Sequence, residues 1–113
     1  MSGVAAGPPR SPPVDLEIDA DHPAYAGHFP GDPVLPGVVL LDAALRRLAD
    51  DGRIDAGDCE ILWFKFSAPV RPHDRVVLET DEDASGTLRV RIVCGPRTVA
   101  TGALRSRPRR GAP

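Results

Sequence analysis

A chain of 113 residues, 42% hydrophobic and 27% charged, has the size and composition of one soluble globular domain. Its net charge of -2 argues against broad nucleic-acid binding, which usually shows as a basic field over a whole face. No apolar run approaches the ~20 residues needed to cross a bilayer, and nothing before Pro13 resembles a signal peptide. We therefore expect a cytoplasmic protein in which Cys59 and Cys94 are free thiols.

The first segment of the chain does not have the composition of a folded element. Residues 1–13, MSGVAAGPPRSPP, are rich in glycine, alanine and proline, and we expect a disordered N-terminal arm. The next six residues, VDLEID, alternate apolar and acidic side chains, which is the period of a strand with one buried face. The domain is predicted over residues 14–105, and residues 106–113 are predicted to form a basic, flexible tail.

A stiff loop and a helix are predicted next. From Asp21 to Pro36 the chain has four prolines and two glycines, and each proline fixes its own φ and restrains the residue before it. From Gly37 to Asp51 the sequence GVVLLDAALRRLADD has helical spacing and is apolar nearly all round, so this helix belongs in a core. The residues predicted to share its main apolar face are Val38, Leu41, Leu45 and Leu48.

Four strands are predicted after the helix. They are EILWFKFSAPV from Glu60, RVVLET from Arg75, TLRVRIVCG from Thr87 and TVATGALR from Thr98. The segments between them, RPHD, DEDASG and GPR, are turn formers, and the last two suit hairpins. Strands that follow a single helix indicate an α+β fold in which an antiparallel sheet wraps around one central helix.

Several kinds of active site are excluded by the absence of their motifs. The chain has no GxGxxG, GxxxxGK, HExxH or GxSxG, and its two cysteines lack metal-ligand spacing, so no metal site is predicted. It also contains no asparagine and no glutamine. An oxyanion would therefore be stabilised by a backbone N–H or by one of few hydroxyl, ring or cationic side chains.

Three histidines are available as general bases. His22 in DHPAY and His73 in RPHD are interpreted as surface or loop residues. His28 lies in GHFPGDP, whose glycines and prolines would hold the imidazole in one place, and a general base requires fixed geometry. Spacing alone leaves open whether His28 is a catalytic base or a further loop residue.

Asp42 is a single acid within the aliphatic part of the helix. Arg46 lies one turn further on, so one interpretation is an i,i+4 ion pair on a solvated edge. The neighbours Val38, Val39 and Leu45 favour the other interpretation, a partly desolvated carboxyl that can donate a proton. Both interpretations remain open at this point.

The stretch GHFPGDPVLPGVVLLDAAL closely resembles the active-site segment of the hot-dog-fold β-hydroxyacyl-acyl-carrier-protein dehydratases. In that family a histidine in an HFPG-like loop and a Glu or Asp in the helix after PG are the catalytic pair. His28 and Asp42 have the family's spacing of 14 residues. The resemblance continues through FKFSAPVRPHDRVVLE and covers most of the chain from Val14 to Leu104. The short chain looks most like accessory members of polyketide or polyene pathways.

This resemblance implies dehydration of a 3-hydroxyacyl thioester on an acyl carrier protein to the trans-2-enoyl thioester, in fatty-acid or polyketide/polyene-type biosynthesis. His28 would remove the proton from C2, and Asp42 would protonate or hydrogen-bond the departing 3-hydroxyl. The backbone N–H of Gly37 would stabilise the oxyanion. The residues expected to line the acyl slot, with simple core packing as the alternative, are Tyr25, Phe29 and Val38.

The resemblance also implies partners. The substrate is carried on the phosphopantetheine of the carrier protein, and no other cofactor is expected. The helix of one subunit approaches the loop of the other in this fold, so we expect a homodimer with shared active sites. Carrier proteins are acidic, so the arginine tail and Arg71 or Arg75 would guide docking, or else these arginines only form a solvated surface.

Two residues depart from the family pattern. Arg46 stands where many members have glutamine, and if it faces Asp42 it would make the acid a poorer proton donor. His73 stands where the glycine of a PGD turn is usual, so we expect the turn to differ. Two alternatives to dehydration follow: a hot-dog acyl thioesterase in which Asp42 activates water, and a non-catalytic hot-dog partner subunit. HFPG favours dehydration, and Arg46 favours the inactive subunit.

Overall fold

The computed structural model describes residues 12–19, 21–23, 34–55 and 57–106. They form β1 (Val14–Leu16), α1 (Gly37–Asp50), β2 (Cys59–Phe66), β3 (Val76–Glu82), β4 (Leu88–Cys94) and β5 (Arg97–Ser106). The predicted arm and tail fall almost entirely outside the described residues. The domain boundaries at both ends therefore stay predictions.

All five strands pair antiparallel in one sheet with the order β1-β3-β4-β5-β2. Strands β3, β4 and β5 follow one another as hairpins, and the two turns contain Gly86 and Gly95 at φ 86° and 59°. Glycine adopts such positive φ values without the steric cost that a Cβ would bring. Strands β1 and β2 are the two edges. One helix against an antiparallel sheet confirms the predicted α+β hot-dog architecture.

The helix has the predicted start and ends one residue before the predicted end. It begins directly after Pro36, which has φ -60° and ψ 142°. It ends because Gly52 takes a φ of 73°, the left-handed region. The Gly52 amide then donates to the Ala49 carbonyl at 3.0 Å and the Arg53 amide to the Leu48 carbonyl at 2.8 Å. This is the Schellman pairing, which satisfies the last carbonyls of a helix.

The side of α1 that meets the sheet is only partly the predicted apolar face: Leu48 is buried and Leu45 packs against the core, but Val38 does not. The helix buries a stripe at every fourth residue, Leu40, Ala44 and Leu48. Val38 is 70% exposed, and Leu41 and Leu45 are only half-buried. Because nearly every turn of this helix offers an aliphatic side chain on each side, the sequence spacing does not decide which side meets the sheet.

The core lies between this stripe of α1 and the inner face of the sheet. Its strand residues are fully covered, with Ile92 and Val99 at 0% exposure and Leu78 and Leu104 at 1%. Burying a side chain of this size stabilises the fold by about 1.5–3 kcal/mol. The other buried members of the core include Leu16, Leu35, Ile54, Val70, Val76, Leu88, Val90 and Ala100.

The first strand is shorter than predicted. Pairing with β3 ends at Leu16, which faces Val76, although the predicted alternation of buried and exposed side chains continues to Asp19. Ile18 still packs against the core.

Within the described ranges, no helix has the length and apolar composition of a membrane span.

Two β-bulges modify the sheet beside β2. Ile61 pairs with Leu104 and Trp63 with Ala103, so Leu62 is an extra residue on the edge strand. Ile92 pairs with Ala100 and Val93 with Thr98, so Val99 is an extra residue on β5. A bulge bends its strand and redirects the groups next to it.

The turn at His73 has a left-handed backbone. His73 has φ 72°, a region that glycine adopts most readily and that a side chain makes costly. The turn is closed by Asp74, whose amide donates to the Arg71 carbonyl at 3.1 Å and whose carboxylate accepts from the Arg71 amide at 2.9 Å. The position therefore has a backbone conformation that suits glycine, and the expected difference from the family's turn stays a prediction.

The packing at Gly102 gives a test of the sheet. A Cβ there would overlap the Phe64 ring and lie 2.9 Å from the Trp63 carbonyl oxygen. We predict that Gly102→Ala lowers the free energy of unfolding by about 1–3 kcal/mol. A Cβ at exposed Gly57 would make only an ordinary contact of 3.6 Å, so Gly57→Ala changes stability by less than about 0.5 kcal/mol. Urea unfolding at one protein concentration measures both, and equal effects would contradict the described packing.

Candidate active site

The N-terminus of α1 presents its first backbone amides at the candidate site. No side chain among the described residues caps it, and its first turn contains no acid. The Pro36 carbonyl accepts from the Val39 and Leu40 amides at 3.0 and 3.3 Å. The first amides of a helix have no intrahelical acceptor and lie at the positive end of its dipole. This end can therefore stabilise an anionic oxygen near Gly37.

An aromatic ring holds this end of the helix close to the sheet. A Cβ at Gly37 would lie 2.7 to 2.8 Å from three atoms of the Phe66 ring. Phe66 in turn meets Phe64 edge to face, with ring centroids 5.1 Å apart. Only a glycine allows the helix backbone to lie this close to the ring.

The bulge on β5 also helps to position Phe66 and the start of α1. The Val99 carbonyl accepts from the Ser67 and Ala68 amides at 2.7 and 3.3 Å, which ties the segment after β2 to the sheet. Further along that segment, the Val70 carbonyl accepts from the Leu35 amide at 2.8 Å, just before α1. Phe66 and the start of the helix are thus fixed relative to the same backbone segment.

A groove of about 440 Å³ lies at this end of the helix. Its lining is apolar apart from backbone, and it includes Gly37, Val38, Phe66 and Pro69. Phe66 is 47% exposed and Val38 is 70% exposed, so neither is part of the closed core. The arrangement suits a ligand with an apolar body and one oxygen that accepts from the helix amides.

Asp42 lies one turn after Val38 and forms the ion pair that one interpretation of the sequence anticipated. The Arg46 Nε donates to Asp42 Oδ2 at 2.7 Å. The side chains are 58% exposed for Asp42 and 76% for Arg46. An exposed i,i+4 pair of this kind contributes only about 0.3–0.5 kcal/mol, so a ligand or a second subunit can rearrange it. In the single chain, Asp42 faces outward.

The structure describes four of the seven residues predicted for the site. Gly37, Val38, Asp42 and Arg46 all lie on the first three turns of α1. Tyr25, His28 and Phe29 lie outside the described residues, so the distance from the predicted base to Asp42 stays open. The predictions missed Phe66, and the signal for it was the glycine immediately after Pro36.

Three of the described titratable groups outside the helix have shifted pKa values. A hydrogen bond to Asp15, together with the charge of that carboxylate, raises the pKa of Arg75. Burial, with a smaller contribution from the charge of Asp58, raises the pKa of the Cys59 thiol. Hydrogen bonds from Ser85 and Thr87 lower the pKa of Asp83 at the β3–β4 turn.

Across the described part of the chain, no group of His, Cys, Asp and Glu side chains has the arrangement of a metal site.

The contact between Gly37 and Phe66 can be tested by a double-mutant cycle. We predict that Gly37→Ala lowers the free energy of unfolding by about 1 kcal/mol or more, because the new methyl group overlaps the ring. In a Phe66→Ala background that loss disappears, since the overlapping atoms are gone. Urea titrations of the four proteins measure the coupling, and strictly additive losses would contradict the contact.

Comparison with known proteins identifies the family of this chain. The model of the ApeI-like family, described as ApeI dehydratase, matches residues 9–103. The 3-hydroxyacyl-[acyl-carrier-protein] dehydratase FabZ of Acidovorax sp. (strain JS42) is 32% identical in an alignment of length 109, and the alignment covers 74% of this chain and 75% of that protein. The protein of the same name from Pectobacterium atrosepticum is 31% identical over 75 residues, and the match spans only 48% of its length.

A solved structure shares the fold. The dehydratase heterocomplex ApeI:P from Xenorhabdus doucetiae superposes with a TM-score of 0.61 at 23% identity, over 87% of this chain and 96% of that chain. The likeness supports the hot-dog architecture, and the family match supports the relationship. The chain belongs to the ApeI-like family of dehydratases.

Proposed function

We propose that this chain removes water from a 3-hydroxyacyl thioester on an acyl carrier protein and leaves the trans-2-enoyl thioester. The observation that carries this proposal is the pairing of an open helix end at Gly37 with an outward carboxylate at Asp42, in a chain of a dehydratase family. The two residues are five positions apart, about 7.5 Å along the helix axis.

One residue is assigned to each step of the proposed reaction. His28 takes the proton from C2, and the electrons of that bond form the new double bond as the bond from C3 to oxygen breaks. Asp42 protonates the departing hydroxyl, or hydrogen-bonds it while His28 returns to it the proton taken from C2, and the oxygen leaves as water. The Gly37 N–H donates to the thioester oxygen while it carries negative charge. A positioned acid or base contributes about 10²- to 10⁴-fold, and one oxyanion donor about 10²- to 10³-fold.

Arg46 is proposed to modulate this acid. Its guanidinium is already hydrogen-bonded to Asp42, so a substrate hydroxyl must either share the carboxylate or displace the arginine. Because both side chains are largely exposed, displacement costs little. In this scheme the protein supplies every reacting group, and the only prosthetic group required is the phosphopantetheine on the carrier protein.

The reaction can be followed with two readouts, enoyl product and free thiol. Purified protein with a 3-hydroxyacyl thioester on a carrier protein is expected to form enoyl without releasing thiol. His28→Ala and Asp42→Asn should each reduce the rate by at least about 10²-fold. Asp51→Asn makes the same charge change at the other end of α1 and should leave the rate unchanged. Thiol alone would indicate a thioesterase, and neither product would indicate a non-catalytic subunit.

We further propose that the active protein is a homodimer in which His28 of one subunit meets Asp42 of the other. The edge strand β2 supports an interface, because large apolar side chains are exposed along it, with Trp63 at 50%, Ile61 at 42% and Leu62 at 36%. Exposed, unpaired edges of this kind pair readily with another chain. The related ApeI:P structure is a heterocomplex, so a related subunit is the alternative partner.

The proposed interface predicts the effect of a charge on β2. Trp63→Lys should shift the protein from dimer to monomer in light scattering and abolish enoyl formation, because each monomer would carry incomplete sites. Glu82→Lys places the same side chain at the exposed end of the interior strand β3 and should leave the dimer intact. A monomeric wild-type protein with full activity would contradict the shared site.

A further inference from the structure

Along the edge strand β2, four side chains lie on the side of the sheet that meets the helix and the core. Cys59 and Phe64 pack against the core, and the Phe66 ring contacts the start of α1. Ile61 pairs with Leu104 on β5, which is 1% exposed and belongs to the core. Because residues directly opposite each other on paired strands share a face, Ile61 also lies on this inner face.

Glu60 and Lys65 carry opposite charges on the outer face of the same strand. Each lies between two inner-facing residues, and successive side chains of a strand alternate between the two faces. Both residues are exposed, and neither forms an ion pair within the part of the chain that the structure describes. On one side they are opposite Arg105 and Thr101 of β5. On the other side β2 is the edge of the described sheet, so both charges can meet a second chain there.

The bulge on β2 makes this pattern symmetric. Leu62 is the extra residue, so Ile61 and Phe64 share the inner face although they are three positions apart. In either chain direction the strand has the same order: inner, outer and inner, then Leu62 and Trp63, then inner, outer and inner. The centre of symmetry lies between Leu62 and Trp63, which are 36% and 50% exposed. Reversal of the strand exchanges the two charged residues.

This symmetry favours one register for a pair of β2 strands. A two-fold axis perpendicular to the sheet pairs the strand antiparallel with a copy of itself, and directly opposite residues must share a face. An axis between Leu62 and Trp63 pairs the full length of the strand, Cys59–Phe66, and matches every inner and outer position. An axis through Trp63 would instead place inner-facing Ile61 opposite an outer-facing lysine, which the pleat of the strands does not allow.

We propose that β2 pairs with the β2 strand of a second copy in this register, and that Glu60 and Lys65 select the partner. Each subunit then sets its Glu60 opposite Lys65 of the other copy, once on each side of the axis. An exposed ion pair adds little affinity, whereas like charges directly opposite each other destabilise a strand pair. The two positions therefore act mainly by rejecting subunits whose charges do not match. This inference rests on the proposed homodimer and adds its register and its basis for partner choice.

Charge reversal at either position tests the register. Glu60→Lys sets lysine opposite lysine twice in each dimer, and Lys65→Glu sets glutamate opposite glutamate twice. Each variant should therefore self-associate at least about fivefold more weakly than the wild-type protein. Sedimentation at low salt measures the dimer dissociation constants. Glu82→Lys is the matched control, because it makes the same substitution on the interior strand β3 and should leave the constant unchanged.

A mixture of the two variants gives a result that misfolding cannot imitate. A dimer of one Glu60→Lys chain and one Lys65→Glu chain has lysine opposite glutamate at both positions. Mixed dimers should therefore form with about the wild-type affinity and exceed each parent dimer by at least about tenfold. An affinity tag on one variant allows the captured partner chains to be counted. The double variant Glu60→Lys/Lys65→Glu should also dimerise like the wild-type protein.

The outcomes separate this inference from the proposed function. Wild-type dimers whose dissociation constant is unchanged in both single variants, or variants that form no excess of mixed dimers, would refute the register alone. A monomeric wild-type protein would refute the homodimer and this inference with it. Enoyl formation is measured on the same samples. Wild-type dimers that form no enoyl would refute the proposed dehydration, and the predicted pattern of dimerisation in the variants would still support the register.

Discussion

The close contact between the Phe66 ring and the backbone of Gly37 is the constraint on which the proposed site depends. With the ring in this position, a side chain at the first helical residue would overlap it. The β5 bulge and the hydrogen bond from the Leu35 amide to the Val70 carbonyl hold the same region from the other side. The open amides, the apolar groove beside them and the direction of the helix toward Asp42 follow from this arrangement.

The helix then presents two different sides to its surroundings. Leu40, Ala44 and Leu48 are buried against the sheet, while Asp42 and Arg46 face outward. On the β1 side the outward surface is charged, and on the β2 side it is apolar and continues onto an exposed edge strand. We propose that this asymmetry directs a second subunit to the β2 side.

Local sequence rules predicted the elements, because turn-forming residues mark where they begin and end. Pro36 before Gly37 and Gly52 after the helix mark α1, and glycines at the β3–β4 and β4–β5 turns mark the hairpins. The same rules did not identify the buried side of α1, since its aliphatic residues surround the axis and only packing against the sheet selects Leu40 and Ala44. The shortness of β1 and the two bulges depend on register between strands, which no single segment encodes.

The candidate site could be predicted from the sequence only in part. The resemblance to the dehydratases made Asp42 and Gly37 candidates, and their roles stay predictions. Whether Asp42 is paired depends on the rotamer of Arg46, and the structure of the single chain shows the ion pair. Phe66 was missed because its role is a contact between residues far apart in sequence. His73 has a left-handed φ of 72°, which its residue type does not predict, because a side chain makes that region costly.

The central proposal is that one active site needs His28 from one subunit and Asp42 from another. Mixed dimers test it most directly. His28→Ala and Asp42→Asn proteins, each inactive alone, are unfolded together, refolded and assayed for enoyl formation. Mixed dimers contain one intact site if the pair is shared between subunits, so activity should return. Verified mixed dimers that remain as inactive as the two parent variants would contradict the account.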